Sequence, residues 1–221
     1  MLMRAAASVI GSVMLAGCSA VGVRAGIEQP AYDVVDRIGA AADEAVEIRL
    51  YAPRLAAETT VPAPSASAAE GRAFGRLAGY IFGGNAAAQS IAMTAPVETA
   101  AAPVQIAMTA PVERASDDGQ HRMRFYLPAG LTRETAPVPK DGRVRIVEVP
   151  VETLAVLRFS GSRGDSAVIA QKARLIAALE GSDWRVAADP VAFFYDPPWT
   201  PPFLRRNEVA VRVERRGPAT N

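Results

Sequence analysis

The letters IAMTAPVE stand at Ile91 to Glu98 and again, unchanged, at Ile106 to Glu113, an internal repeat offset by 15 residues. In the first copy Ile91, Met93, Ala95 and Val97 fall on alternate positions, as do Ile106, Met108, Ala110 and Val112 in the second. A spacing of two is the period of a half-buried strand, so each copy predicts a strand with one apolar face. Pro96 and Pro111 have no N–H for a ladder bond and hold the preceding alanine extended. Each copy should therefore end at an edge, a bulge or an exit from the sheet. Thr99 to Pro103 suit a short hairpin loop between the two.

Upstream of the repeat, polarity alternates from Tyr32 to Ile38 and from Val46 to Tyr51, and a third apolar run spans Leu55 to Val61. Their short links predict antiparallel strands. Residues 62–69, PAPSASAA, read as a small-residue linker. Phe74, Leu77, Ala78 and Ile81 then recur at the spacing of an amphipathic helix that stops at Gly83-Gly84-Asn85. Arg72 and Arg76 lie four apart on it and share a face. Downstream, Asp117-Asp118-Gly119 reads as a turn into a strand from His121 to Leu127.

After the Pro- and Gly-rich segment 128–142 the order restarts. Strands are expected at 143–149 and 153–160, a helix from about Asp165 to Glu180, strands near 184–188 and 190–195, and a last one from Glu208 to Val213. Two such units in succession predict an α+β fold: a distorted antiparallel β-barrel or sandwich of two pseudo-symmetric halves, each with one covering helix.

Of the 221 residues half are hydrophobic, enough for a sizeable core. The charges, 24 basic and 23 acidic, leave a net +1, which implies no basic face for nucleic acid. A single cysteine, Cys18, excludes an internal disulfide framework and a cysteine cluster for zinc or iron–sulfur. The lone histidine, His121, excludes a multi-histidine metal site. An enzyme finds little support, with no G-x-S-x-G elbow, P-loop or G-x-G-x-x-G. Neighbouring acids such as Asp43 and Glu44 read as ordinary surface charges.

The N-terminal stretch MLMRAAASVIGSVMLAGC carries Arg4 and then 13 small or apolar residues, Ala5 to Gly17. The run falls short of the roughly 20 apolar residues a spanning helix needs, and has the length of a signal-peptide core. Leu15-Ala16-Gly17-Cys18 resembles the bacterial lipobox, in which the cysteine is lipidated and heads the mature chain. The other reading is a plain secretory signal cut near Ala20 or Ala25. Acyl chains on Cys18, at about 0.8 kcal/mol per buried methylene, would anchor the domain to a membrane. Ser19 resembles the pattern of lipoproteins sent to the outer membrane, facing the periplasm. The expected organisation is a lipoprotein signal peptide at 1–17, a tether at 18–30, a domain at 31–214 and a flexible tail at 215–221.

Tyr32 to Ile38, the helix pattern R-x-x-x-R-L-x-x-Y-I-F-G-G-N from Arg72 to Asn85, both IAMTAPV copies, Met123 to Pro128 and Val156 to Gly161 together resemble the SOUL haem-binding family. The most specific carrier is Tyr195-Asp196-Pro197-Pro198-Trp199-Thr200-Pro201-Pro202-Phe203-Leu204-Arg205-Arg206-Asn207-Glu208. The resemblance implies non-covalent binding of haem or another tetrapyrrole in an open apolar groove along the first helix, where basic side chains meet the propionates. On that expectation Arg72 and Arg76 take the two carboxylates, while Phe74, Leu77, Ile81, Met93 and Met108 supply the walls. His121 is a possible axial ligand, with Met93, Met108 or Tyr195 as other donors. With no C-x-x-C-H, covalent c-type attachment is excluded.

Blander readings stand beside these. On these, the two arginines are only the solvated face of a core helix, and the chain holds another flat hydrophobic molecule or serves as a structural envelope lipoprotein. The block from 195 to 208 reads either as a rigid lip of the groove or as a strut that docks Trp199 and Phe203, with Arg205 and Glu208 paired locally.

Overall fold

The computed structural model describes residues 26–39, 45–87 and 103–217. The elements in chain order are β1 (Tyr32–Ile38), β2 (Val46–Tyr51), β3 (Arg54–Pro62), α1 (Ala66–Ile81), β4 (Asn85–Ala86), β5 (Val112–Asp117), β6 (Gln120–Tyr126), β7 (Val138–Pro139), β8 (Arg145–Val149) and β9 (Glu152–Phe159). They continue with α2 (Asp165–Leu179), β10 (Trp184–Val186), β11 (Val191–Phe194), a short 3₁₀ helix (Pro202–Leu204) and β12 (Asn207–Arg215).

The main sheet runs β1-β2-β9-β12-β11-β5-β6-β3-β8, with β10 added on β12, and β4 pairs β7 in a separate ribbon. It is an antiparallel half-barrel, and two helices complete the expected α+β fold. The order β2-β3-α1-β5-β6 recurs as β8-β9-α2-β11-β12, and the two units meet at β5 and β11, where Glu113 faces Phe193. Their first strands are exchanged: β2 pairs with β9 of the second unit, and β8 pairs with β3 of the first.

Each helix covers its own core. Beneath α1 lie Leu55, Ala57, Val61, Met123 and Phe125, and beneath α2 lie Val46, Ile48, Ala155, Leu157 and Val211. A third cluster, with Tyr51, Tyr126, Phe193 and Tyr195, occupies the opposite face of the sheet. There the strands' other side chains meet, because successive residues of a strand point to opposite faces.

Helix α1 begins inside the segment expected to be a linker. Ser65 is its N-cap, accepting a bond from the Ala68 N–H at 3.1 Å, so 66–69 are helical. At the other end Gly84 donates its N–H to the Gly79 carbonyl at 2.7 Å. A Cβ at position 84 would stand 2.6 Å from that oxygen, so only glycine allows this stop.

The repeat requires a correction. Its second copy forms no strand from Ile106 to Pro111, and β5 starts only at Val112. The backbone here bonds singly to separate elements: Ile106 N–H to the Ile81 carbonyl at 3.0 Å, and Ala110 N–H to the Glu28 carbonyl at 2.9 Å. The Thr109 hydroxyl donates to the Tyr126 carbonyl, and the Ala110–Pro111 peptide is cis. The first copy, with its expected strand and most of its hairpin loop, lies outside the described residues.

Candidate functional site

Helix α1 buries Ala69, Ala73, Leu77, Tyr80 and Ile81 against the sheet. Opposite that face stand Gly71, Gly75 and Gly79, one turn apart, and a Cβ added to any of them meets nothing within 4 Å. Interior helix glycines each cost about 1 kcal/mol relative to alanine, and no neighbour among the described residues uses the space they leave. The result is a flat, bare helix surface. Phe74 and Phe82 border it, 40% and 61% exposed, with Phe74 set edge-on to Phe125 at 5.3 Å between ring centroids.

The two arginines lie along the other flank, as their spacing predicts. Arg72 donates to the Pro62 carbonyl at 2.9 Å, and Arg76 to the Thr60 carbonyl at 3.2 Å and the Thr59 hydroxyl at 3.4 Å. Among the described residues neither forms a salt bridge to a carboxylate. Both guanidinium groups thus sit beside the bare face without a salt bridge, although the charge of Arg76 is felt by Asp141, whose carboxyl Arg143 chiefly holds low. Such cations pair favourably with carboxylates or phosphates.

The other expected site residues are dispersed. Leu77 and Ile81 are fully buried and form the core under the helix, not an open wall. Met108 is 43% exposed, two residues beyond Ile106, which bonds the end of α1. Met93 and Cys18 lie outside the described residues. His121 is buried on the side of the sheet that α1 covers, near the start of that helix. Its Nε2 is 2.9 Å from the Ala63 carbonyl and its Nδ1 2.7 Å from the Ser116 hydroxyl. A carbonyl can only accept, so in the neutral ring Nε2 carries the hydrogen and Nδ1 spends its lone pair on Ser116. Tyr195 is also committed, its buried hydroxyl donating to Glu208 at 2.6 Å.

The loop from 195 to 206 does not dock its aromatics: Trp199 is 72% and Phe203 76% exposed. Arg205 ties the loop to itself through the Thr200 and Pro198 carbonyls at 2.7 and 2.8 Å, and it is Arg206 that pairs with Glu208, at 2.7 Å. The strut reading and its Arg205–Glu208 pair are therefore replaced by a self-braced loop with two rings turned to solvent.

On the sheet face opposite the helices the structure builds an ionic and aromatic lattice that alternation alone did not reveal. Glu208, with no exposed surface, accepts from Arg49 at 2.9 Å, Arg206 at 2.7 Å and Tyr195. Glu58 binds Arg124 and Arg145, both at 2.7 Å, and Glu113 binds Arg124 at 3.2 Å and the Tyr126 hydroxyl. Arg49 stacks over Tyr32 at 4.4 Å, and Arg54 over Tyr51 at 4.5 Å and Tyr126 at 4.8 Å. Burial works against the Glu208 carboxylate, but Arg49 and Arg206 outweigh it and hold the group below the ordinary range. Burial pushes the Tyr126 and Tyr195 phenols well up.

Residues 26–30, read as the end of a tether, close over this lattice. Glu28 accepts from the Ala110 and Ala129 N–H groups, and Gln29 accepts from Arg206 at 3.3 Å. Beyond them a cleft of about 900 Å³ opens at the ends of β3, β6 and β8. Among the described residues no group of three or more His, Cys, Asp or Glu could hold a metal ion, and no helix is long and apolar enough to cross a membrane.

A two-unit antiparallel half-barrel with two covering helices places the chain among the α+β half-barrel domains. It belongs to the SOUL heme-binding protein family, whose model matches residues 27–212. No curated protein matches. Among solved structures, the crystal structure of the EcmrR C-terminal domain is 12% identical, with a TM-score of 0.55 over 77% of this chain and 97% of that one. EcmrR in its DNA complex, seen by cryo-electron microscopy, is 11% identical, with a TM-score of 0.53 over 77% of this chain. The chain spans 57% of that longer EcmrR chain. An uncharacterized conserved protein from Listeria innocua is 13% identical over 86% of this chain and 94% of that one, with a TM-score of 0.48. At these identities the likeness to EcmrR is one of fold.

Proposed function

We propose that this protein binds haem or a related tetrapyrrole reversibly and non-covalently on the outer face of α1. One observation carries the reading: an apolar helix face that is bare at Gly71, Gly75 and Gly79 among the described residues lies between two exposed phenylalanines and two arginines that form no salt bridge there. A tetrapyrrole has the matching form, a flat apolar disc with two carboxylates on one edge. Arg72 and Arg76 would take the propionates, and Phe74 and Phe82 would border the ring. His121 would take no part unless its Nδ1 gave up the bond to Ser116. Bound iron would supply an absorption signature, and affinity would come mainly from the slot itself.

The membrane part of the proposal rests on the N-terminal sequence. Residues 1–17 would direct export and Cys18 would carry the lipid, which holds the domain at the cell envelope, on the outer membrane facing the periplasm. Replacing Cys18 with Ser should abolish incorporation of labelled palmitate and release the protein to the soluble fraction; retention in the membrane fraction would sink the anchor.

The ligand is tested by titrating the chain from residue 19 onward with hemin and with iron-free protoporphyrin. A Soret shift with hemin and comparable affinity for protoporphyrin are expected. Arg72→Glu with Arg76→Glu should weaken both severalfold. Unchanged affinity in that double variant would return the arginines to a purely solvating role.

A further inference from the structure

The cleft at the ends of β3, β6 and β8 shares no residue with the outer face of α1. Its volume of about 900 Å³ lies within the range of small-molecule sites. Pro30, Leu55, Leu127, Leu131, Val149 and Val151 give it apolar walls. Arg54 lines both this cleft and the small crevice beside it that Tyr51, Tyr126 and Phe193 enclose. The Arg54 side chain is only 8% exposed. Its terminal nitrogens are engaged by Glu152, the Tyr126 hydroxyl and the Ala52 carbonyl. Its Nε–H is buried and has no partner among the described residues. Buried donors are almost always satisfied, because one left without an acceptor loses its hydration and gains nothing in return.

The charges around the cleft decide what kind of acceptor fits. Arg54 is already neutralised by Glu152, and the lining holds Glu28, Glu134 and Glu148 against Arg133 as the other cation. A dianionic propionate pair would be repelled here, whereas a neutral oxygen would not. We infer that the cleft is a second ligand site, for a neutral apolar molecule bearing a ketone, ester or amide carbonyl that accepts the Arg54 Nε–H. The inference stands apart from the tetrapyrrole reading, since the α1 face and the cleft differ in position and in charge.

Two dyes test it on the chain from residue 19 onward, which contains every described element: Nile red, a neutral apolar molecule with a carbonyl acceptor, and diphenylhexatriene, which has none. Both should bind, with a rise in fluorescence. Arg54→Lys keeps the charge opposite Glu152 but lacks Nε–H, and should weaken Nile red about fivefold or more while leaving diphenylhexatriene unchanged. Ala129→Trp, at an exposed position of the lining, should abolish both while the circular dichroism spectrum and hemin titration stay as in the parent. Failure of both dyes to bind, Nile red binding that survives Ala129→Trp, or an equal effect of Arg54→Lys on the two dyes would each overturn the proposal.

Discussion

Glu208 is a carboxylate with no exposed surface, held by two arginines and a tyrosine hydroxyl. Removing one partner of a buried ion pair strands the other, at a cost of about 3 to 5 kcal/mol. Glu208→Ala is therefore expected to lose that much stability in urea unfolding. The dependence on pH has a definite sign. The folded pKa is lowered from 4.5, so the carboxylate's contribution is complete above that value and disappears as pH falls from about 4.5 through the depressed folded value. Glu208→Gln should flatten the loss of stability below pH 4.5, and an acid limb as steep as the parent's would mean that other groups control it. His121 makes the opposite kind of prediction. With both ring nitrogens bonded to protein, His121→Ala should cost about 1 to 3 kcal/mol in the same unfolding assay, yet leave the Soret position of the hemin complex unmoved. A displaced Soret band would restore His121 as an iron ligand.

At the level of elements, helix and strand periods were readable wherever one side of an element packs on the core. The bounds of β2 follow from side-chain alternation, which there reports burial directly, and the apolar face of α1 follows from its helical period; β1 keeps its expected bounds although none of its residues is buried. The second IAMTAPVE copy misled. Alternation records which way side chains point but not where N–H groups bond, and a segment without a ladder satisfies it equally. The ionic lattice was hidden differently: Arg49 and Glu208 are 159 residues apart, and nothing local in the sequence links them. For α1 the glycines supply a test. Gly75→Ala should raise stability by about 1 kcal/mol in a thermal melt, since the added methyl meets nothing. Gly75→Leu should also fold, but its side chain would stand on the flat face and lower hemin affinity at least tenfold. Hemin binding indifferent to Gly75→Leu would remove the tetrapyrrole from this face.

For the whole molecule, the restart of the element order after residue 142 made the two units legible, but their exchanged strands were not, because strand partners separated by most of the chain leave no local signal. The exchange governs how the protein must unfold. Unit one without β8 would leave β3 with a bare edge, and unit two without β2 would do the same to β9. On the helix side the units are joined again: Arg114 reaches Glu70 of α1 at 3.2 Å and Asp165 of α2 at 3.6 Å, and Ser67 bonds Asp165 at 3.0 Å. Neither unit can then keep its core when the other opens, so two-state unfolding is expected of a domain that its topology would otherwise divide. Urea transitions followed by Trp184 fluorescence, which reports the α2 core, and by far-ultraviolet circular dichroism, which reports both units, should coincide. Fragments 26–142 and 143–217 should each remain unfolded alone and recover strand content only when mixed. Separate midpoints, or a fragment that folds by itself, would show that the exchanged strands are ornaments on two independent units.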